Sequence, residues 1–204
     1  MADKMKLLTS NTTPFGRKAL IAAMVLGMDD RLDIVNIVPY DDATLRTINP
    51  LGRIPVLIDG DRAIYDSVVI ALYLQEKAGK DILMQGGDFL TLMQLHALSD
   101  GIAVAGVNRA QNKMRHLKND AIPLDDWYVG RQSDSIILGL KEAENRLADF
   151  GNAMNLPVIS LICTLDHVTF RHGDLAWQEK YPTLAKWRDD MDRHDFIKNT
   201  APRL

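Results

Sequence analysis

A short segment at residues 49–60 constrains the fold of this chain more than any other part of its sequence. It sets Pro55 directly before the apolar run at 56–58. Proline has no N–H and is tolerated in a sheet only at an edge or at the first residue of a strand. Pro55 therefore predicts a turn that enters a short buried strand. If the Ile54–Pro55 peptide bond is cis, the turn offers the main-chain N–H and C=O of Ile54 to an extended ligand.

Asp66 and Ser67 stand immediately before an apolar helix pattern and predict a helix start. The unpaired N–H groups of a helix start, together with the Ser67 hydroxyl, favour a carboxylate. The side chain of Asp66 favours an ammonium group. The pair therefore suits a ligand that carries both groups, such as a γ-glutamyl head.

The order of strand and helix signals predicts two domains. The first, residues 1–80, reads as βαβ-ββα, with a strand at 5–9, a helix at 14–26, a strand at 32–37, a hairpin of strands at 56–58 and 62–64, and a helix at 67–78. Gly86 and Gly87 mark a linker at 81–88. Residues 89–204 lack strand signals, so the second domain is expected to be an all-α helical bundle. Its predicted helices lie at 89–118 and 126–150, with an apolar central helix around 158–165.

Composition excludes several classes of function. The chain has 24 Lys and Arg against 27 Asp and Glu among 204 residues, so nucleic acid and anionic membranes are not expected partners. Cys163 is the only cysteine, which excludes an internal disulfide and favours a reducing cytoplasm. Cys163 lies in the apolar helix pattern and reads as a core residue. The five histidines lack the spacing of a metal site, so no metal is expected.

Three further segments carry a resemblance to a known family. They are the first-helix motif at 12–18, which contains Thr13-Pro14-Phe15, the helical segment at 97–101, and the Tyr-Pro tail at 181–187. With the proline turn and the Asp-Ser helix start, they resemble the glutathione transferase superfamily, in a bacterial cytosolic type with a Ser/Thr-Pro-Phe motif and a tau- or omega-like N-terminal domain. The resemblance implies a thioredoxin-like first domain, a helical second domain, a homodimer and a role in detoxification.

The resemblance also implies a thiolate-stabilising hydroxyl near the first helix. Thr13 is the first choice, because a hydroxyl at a helix N-terminus stabilises negative charge. Relatives carry Ser or Cys immediately before Pro-Phe, and threonine keeps the hydroxyl while adding a methyl. The alternative is that Thr13 only caps a helix with Pro14 at its first position. Ser10 and Thr12 are the second choices.

The implied ligand contacts fall into two groups. The residues assigned to glutathione are Thr12, Phe15, Arg53, Ile54, Pro55, Asp66 and Ser67. The electrophile pocket is assigned to one side of the helix at 89–118, with Ala103, Val107, Ala110 and Met114, although the inward face of that helix is undecided from sequence. Arg53 either meets the glycyl carboxylate or is a solvated turn residue. Arg109, Lys113, Arg115 and His116 could equally form a solvated stripe.

The function expected is conjugation of the glutathione thiolate to a small hydrophobic electrophile, with glutathione as co-substrate and no other cofactor. Two alternatives stay open. One is a binding or interaction module of the same fold with little turnover. The other is a glutathione-dependent dehalogenase, isomerase or lyase.

Overall fold

A single four-stranded sheet forms one part of the protein. The computed structural model describes residues 4–39 and 42–204. The strands are β1 Met5–Thr9, β2 Leu32–Asn36, β3 Val56–Asp59 and β4 Arg62–Ile64. Their order is β2-β1-β3-β4, with β1 and β2 parallel and the other two pairs antiparallel. A parallel pair needs a crossover, and α1 supplies it between β1 and β2.

The helices that the structure describes are α1 Pro14–Leu26, α2 Leu45–Ile48, α3 Ser67–Ala78, α4 Phe89–Lys118, α5 Asp126–Asn145, α6 Leu147–Phe150, α7 Leu156–Arg171, α8 Trp177–Lys180, α9 Pro182–Asp190 and α10 Asp195–Asn199. Helices α1 and α3 pack against each other beside the sheet, and α4 packs between α5 and α7. No strand occurs after Ile64 in the described part of the chain.

Two of the expected helices differ from the sequence pattern. The pattern at 126–150 is divided, because Arg146 has φ −99° and ψ 15° and separates α5 from α6. The central helix, expected around 158–165, runs from Leu156 to Arg171 as α7. Its start is fixed by Asn155, whose side-chain oxygen accepts from the Val158 N–H at 3.1 Å. The Asn155 amide also donates to the Gln85 carbonyl at 2.9 Å and so ties the predicted linker to α7.

Helix α7 contributes to two hydrophobic cores. Its residues Val158, Leu161 and Leu165 pack in the core of the helical part. Leu156, Ile159 and Cys163, on another face of the same helix, complete the core formed by the sheet, α1 and α3. Burial on all sides explains why this helix is apolar all round. The boundary at 81–88 stays a prediction, because Leu83 within it also belongs to the sheet-side core.

Helix α4 is long and apolar enough to cross a membrane by length and composition alone. Its most apolar window of 18 residues has a mean hydropathy of 1.3, but 44% of that window is buried inside the protein. The helix packs along both α5 and α7. These contacts make α4 a core helix of the helical part.

Candidate functional site

The proline turn lies at the end of the sheet. The Ile54–Pro55 peptide bond is cis, which meets the condition set by the sequence. Pro55 is buried and Ile54 is half-buried. The pairing of β3 with β1 begins at Val56, opposite Leu8, so Ile54 stands just outside the strand ladder.

Asn49 organises this turn, a role that was not predicted from the sequence. It is 1% exposed, and its side-chain amide donates to the Arg53 carbonyl at 2.8 Å. Its side-chain oxygen accepts from the Leu51 N–H at 3.0 Å, and its main-chain carbonyl accepts from the Gly52 N–H at 2.8 Å. An asparagine before proline is a turn signal and could have identified it. Arg53 itself is exposed, so its role stays a prediction.

Asp66 and Ser67 begin α3 as predicted. Asp66 is the N-cap: its side chain accepts from the Val68 N–H at 3.1 Å, and it is exposed. Ser67 is only 1% exposed. The first N–H groups of α3 therefore lie beside an exposed carboxylate, which is the arrangement expected for a ligand with both an anionic and a cationic group.

Thr13 stands at the N-cap position of α1 with extended backbone angles, φ −87° and ψ 126°. Its side chain makes no capping hydrogen bond to any described residue. The simple capping role is therefore not realised, and the half-buried hydroxyl remains at a helix N-terminus. Gly16 lets this turn pack closely, because a Cβ there would lie 2.7 Å from the Thr13 Cγ2.

Ser10 and Thr13 are joined through the main chain, since the Thr13 N–H donates to the Ser10 carbonyl at 3.4 Å. Ser10 lines a cavity of about 80 Å³ between the first turn of α1, β2 and the C-terminal segment 199–203. Ile34 of β2 and Arg203 also line it. Neither Thr13 nor Asp66 and Ser67 line that cavity, so the role of Ser10 stays a prediction.

A largely buried ion pair joins α1 to α4. Lys18 of α1, 1% exposed, pairs with Asp100 of α4. His96, one turn earlier on α4, lies 3.6 Å from Asp100 through Nε2 and bonds the Ser160 hydroxyl at 2.9 Å through Nδ1. Burial and Lys18 lower the pKa of His96, while Asp100 and Asp66 act in the opposite direction. The Lys18 ammonium also lies 5.6 Å from the centre of the half-buried Phe15 ring.

The start of α1, the proline turn and the start of α3 all lie in a region that is similar to known proteins. A family model described as the N-terminal domain of glutathione S-transferase matches residues 12–77. Glutathione S-transferase Z1 of Arabidopsis thaliana is 31% identical over 211 residues, which cover 98% of this chain and 92% of that protein. The chain belongs to the glutathione S-transferase family. Glutathione S-transferase Z2 of the same plant is 26% identical over 98% of this chain and 91% of its own length.

Solved structures of the family share the whole architecture. A glutathione transferase family member from Pseudomonas fluorescens Pf-5, with bound glutathione, has a TM-score of 0.89 at 27% identity and covers 98% of this chain and 100% of that chain. A glutathione S-transferase from Methylobacillus flagellatus KT, also with glutathione bound, has a TM-score of 0.87 at 30% identity with the same coverage. The fold is thus a thioredoxin-like N-terminal domain followed by a helical C-terminal domain, as predicted. The class named among the sequence relatives is zeta, whereas the sequence alone likened the first domain to tau and omega types.

The exposure of the predicted electrophile-pocket residues increases along α4 from its middle toward its C-terminal end. Ala103 is 1% exposed, Val107 and Ala110 are half-buried, and Met114 is 41% exposed. These residues recur every three or four positions and therefore share one face of the helix. The face opens toward the C-terminal end of α4. The pocket assignment stays a prediction.

Arg109 does not belong to a solvated stripe. It is 4% exposed, and its guanidinium donates hydrogen bonds of 3.1 and 2.5 Å to the Asp174 carboxylate. The hydrogen bonds from Arg109 hold the pKa of Asp174 well below its usual range. Cys163 is a core residue, as the sequence indicates, and burial raises its pKa to about 11. Residues 4–39 and 42–204 contain no group of three His, Cys, Asp or Glu side chains arranged to hold a metal ion.

Proposed function

We propose that this protein binds glutathione at the turn before β3 and the start of α3, and transfers its thiolate to a small hydrophobic electrophile. In this scheme the Ile54 main chain pairs with the peptide, while Asp66 and the N-terminus of α3 hold the ammonium and carboxylate of the γ-glutamyl head. The glutathione bound to the two bacterial relatives supports this assignment. No cofactor beyond glutathione is required, because the reaction needs only a thiolate held beside an acceptor.

The observation that best supports the proposal is that the Thr13 hydroxyl does not cap α1. A free thiol has a pKa near 8.5, so a transferase must stabilise the anion at neutral pH. A hydroxyl at a helix N-terminus does so by donating a hydrogen bond where the helix dipole also favours negative charge. The Thr13 hydroxyl makes no capping bond to the described residues, which supports a role toward the ligand.

The proposal is tested by an ultraviolet titration of enzyme-bound glutathione, read as thiolate absorbance against pH. We expect the bound thiol to have a pKa at least about one unit below that of free glutathione. Thr13→Val keeps the shape of the side chain and removes the hydroxyl, so it should return the thiol pKa toward the free value with binding intact. Thr13→Ser should retain the low value. A bound thiol with an unshifted pKa in the wild-type protein supports the interaction-module alternative.

A glutathione-dependent isomerase is the second candidate, favoured by the zeta-class relatives. The thiolate would add to a carbon–carbon double bond conjugated to a carbonyl group, and the new single bond would rotate. Expulsion of the thiolate would then restore the double bond in the other geometry. The two reactions differ in stoichiometry, because conjugation consumes one glutathione for each product while isomerisation returns it. Product analysis with limiting glutathione separates them.

The homodimer, the location in the cytoplasm and the role in detoxification belong to the same proposal. The first and third are supported by membership of the family, and the second by the lone buried Cys163, whose thiol has no partner cysteine in this chain.

A further inference from the structure

The turn that carries Thr13 is closed by a main-chain hydrogen bond. The Thr13 N–H donates to the Ser10 carbonyl at 3.4 Å, so residues 10–13 form a β-turn with Asn11 and Thr12 at its centre. The hydrogen bond of a β-turn joins its first and fourth residues and leaves the carbonyl of the second without a partner inside the turn. The Asn11 carbonyl can therefore accept from a donor elsewhere in the fold.

The C-terminal end of the chain supplies that donor. The Arg203 N–H donates to the Asn11 carbonyl at 3.4 Å. Residues 199–201 and 203 also line the cavity of about 80 Å³ together with Ser10 and Asn11, so the C-terminal segment runs past the whole turn. Because the contact joins one main-chain group to another, it does not depend on either side chain.

A second contact joins the same segment to the helix that follows the turn. Arg17 lies in the first turn of α1 and is 6% exposed. Its Nε donates to the Thr200 hydroxyl at 3.1 Å, and one terminal nitrogen donates to the Ile197 carbonyl at 2.8 Å. The other terminal nitrogen donates to the Asp166 carboxylate. Each of the three guanidinium nitrogens thus has a partner, and these partners hold Arg17 against α7 and the C-terminal segment.

Arg17 is also bonded to Thr13 through the main chain. The Arg17 N–H donates to the Thr13 carbonyl at 3.2 Å, which is the first hydrogen bond of α1. Thr13 therefore lies between two points that the C-terminal segment holds, Asn11 before it and Arg17 after it. A hydroxyl is aimed accurately only when its backbone is fixed, and a misplacement of about 1 Å can slow a reaction by ~100-fold.

We propose that the C-terminal segment 197–203 positions Thr13 for thiolate formation, through the Arg203 N–H on the turn and through Arg17 on α1. Both groups act without contact with glutathione, by holding the backbone that presents the Thr13 hydroxyl. The last residues of the chain are then a functional part of a site built mainly from the first domain. This inference rests on the proposed function.

The test compares the thiol pKa of bound glutathione in full-length variants that each remove one contact. Arg203→Pro removes the N–H that reaches Asn11, and Arg203→Ala is its matched control, because it shortens the side chain and keeps that N–H. Thr200→Val removes the hydroxyl that accepts from Arg17, and Thr200→Ser is its control, because it keeps the hydroxyl. Arg203→Pro is also combined with Thr13→Val, and glutathione affinity is measured on all samples by calorimetry.

We expect Arg203→Pro and Thr200→Val each to raise the bound thiol pKa by about half a unit to one unit, which means about 3- to 10-fold less thiolate at a pH below that pKa. Affinity for glutathione should be unchanged, and the two controls should keep the low value. In the Thr13→Val protein the hydroxyl is already absent, so Arg203→Pro should raise the pKa no further.

A wild-type thiol with a low pKa that stays low in both Arg203→Pro and Thr200→Val overturns the positioning role and leaves the transferase proposal standing. A shift from Arg203→Pro that is equally large in the Thr13→Val protein also overturns it, because the segment would then act without the Thr13 hydroxyl. A wild-type thiol with no shift overturns both proposals. Should Thr200→Val not fold, Arg203→Pro decides alone, since Arg203 is exposed.

Discussion

At the scale of single residues, the start of α3 presents two adjacent polar side chains that differ in exposure. Asp66 is exposed, whereas Ser67 beside it is 1% exposed. The carboxylate is thus open to a cationic group. In the proposed complex the serine would supply its hydroxyl and the adjoining N–H groups at the start of the helix. Asp66 already uses one oxygen to accept from Val68, which leaves lone pairs of the same carboxylate for a ligand.

Ser67→Ala is therefore expected to weaken glutathione binding by about 10- to 150-fold, because a hydrogen bond to a charged group is worth roughly 1.5–3 kcal/mol. Calorimetric titration with glutathione measures the change. Ser135→Ala is the matched control, since Ser135 is exposed on α5 and its hydroxyl donates only to the carbonyl of Arg131, one turn earlier in the same helix. Equal affinities for Ser67→Ala and the wild-type protein would remove Ser67 from the site.

Residues whose role depends on their immediate neighbours in the chain are predictable from sequence. Pro55 at the entry to β3, Asp66 as the cap of α3 and the capping bond of Asn155 at the start of α7 all act within a few residues of themselves. Asn49 acts over the same short range, and an interpretation of the Asn-Pro dipeptide as a turn would have included it.

At the scale of elements, the close packing of α4 on α5 depends on a glycine. Gly139 of α5 faces Ile102 of α4, and a Cβ at that position would lie 3.0 Å from the Ile102 Cδ1 and closer still to its Cγ1. The side chain of Ile102 is 2% exposed and so has little room to move aside. The two helices can therefore approach closely at this point because Gly139 has no side chain.

Gly139→Ala should lower the free energy of unfolding by about 1–3 kcal/mol, the usual cost of overpacking a core. The same helix offers its own control, because Gly130 is exposed and a Cβ there meets nothing within 4 Å. Gly130→Ala should raise stability by up to about 1 kcal/mol through helix propensity. Urea unfolding of both variants measures the difference, and a Gly139→Ala protein as stable as Gly130→Ala would contradict the packing argument.

The bounds of α1 followed from local signals in the sequence, but the division between α5 and α6 did not. Pro14 and Gly27 fix the ends of α1 as predicted, because both residues act through their own backbone angles. The separation of α5 from α6 at Arg146 carries no glycine or proline signal. The Glu144 side chain accepts from the N–H groups of Thr183 and Leu184, so this end of α5 is tied to α9 across the fold.

At the scale of the whole molecule, α1 is held between the sheet and the helical domain by two buried cations. Arg17, 6% exposed, binds Asp166 of α7 at 2.5 Å, and the same carboxylate accepts from Arg188 of α9 at 2.5 and 2.7 Å. Lys18 pairs with Asp100 of α4. Removing one partner of such a pair leaves an uncompensated buried charge, so these contacts fix the relative position of the two domains.

The stability of the molecule should fall as the pH drops from about 6.5 to about 4. Burial lowers the pKa of His167 and of His172 to about 4, below the unfolded value near 6.5. The unfolded chain then binds more protons across this range, so the free energy of unfolding rises with pH there and is fully present above about pH 6.5.

Urea unfolding at several pH values measures this dependence, with His167→Phe as the comparison, because that variant should show a flatter profile. A wild-type free energy of unfolding that is constant from about pH 6.5 to about pH 4.5 would contradict the lowered pKa values. Below that range, protonation of Asp174 should lower the free energy of unfolding further. The hydrogen bonds from Arg109 lower the pKa of this carboxyl, so they stabilise the folded protein only while the carboxylate is charged.

The sequence by itself determined the strands, the longer helices, their order, the proline turn and the start of α3, because each follows from backbone restrictions and side-chain periodicity within one turn or one strand. The short helices α2, α6, α8, α9 and α10 had no predicted bounds. Only the tertiary structure decided which polar side chains are buried and with whom. Lys18 meets its partner 82 residues away, Arg17 meets Asp166 149 residues away, and His167 is buried without a hydrogen-bond partner among the described residues. Such contacts depend on how elements that are distant in sequence pack together, and no local sequence pattern encodes that packing.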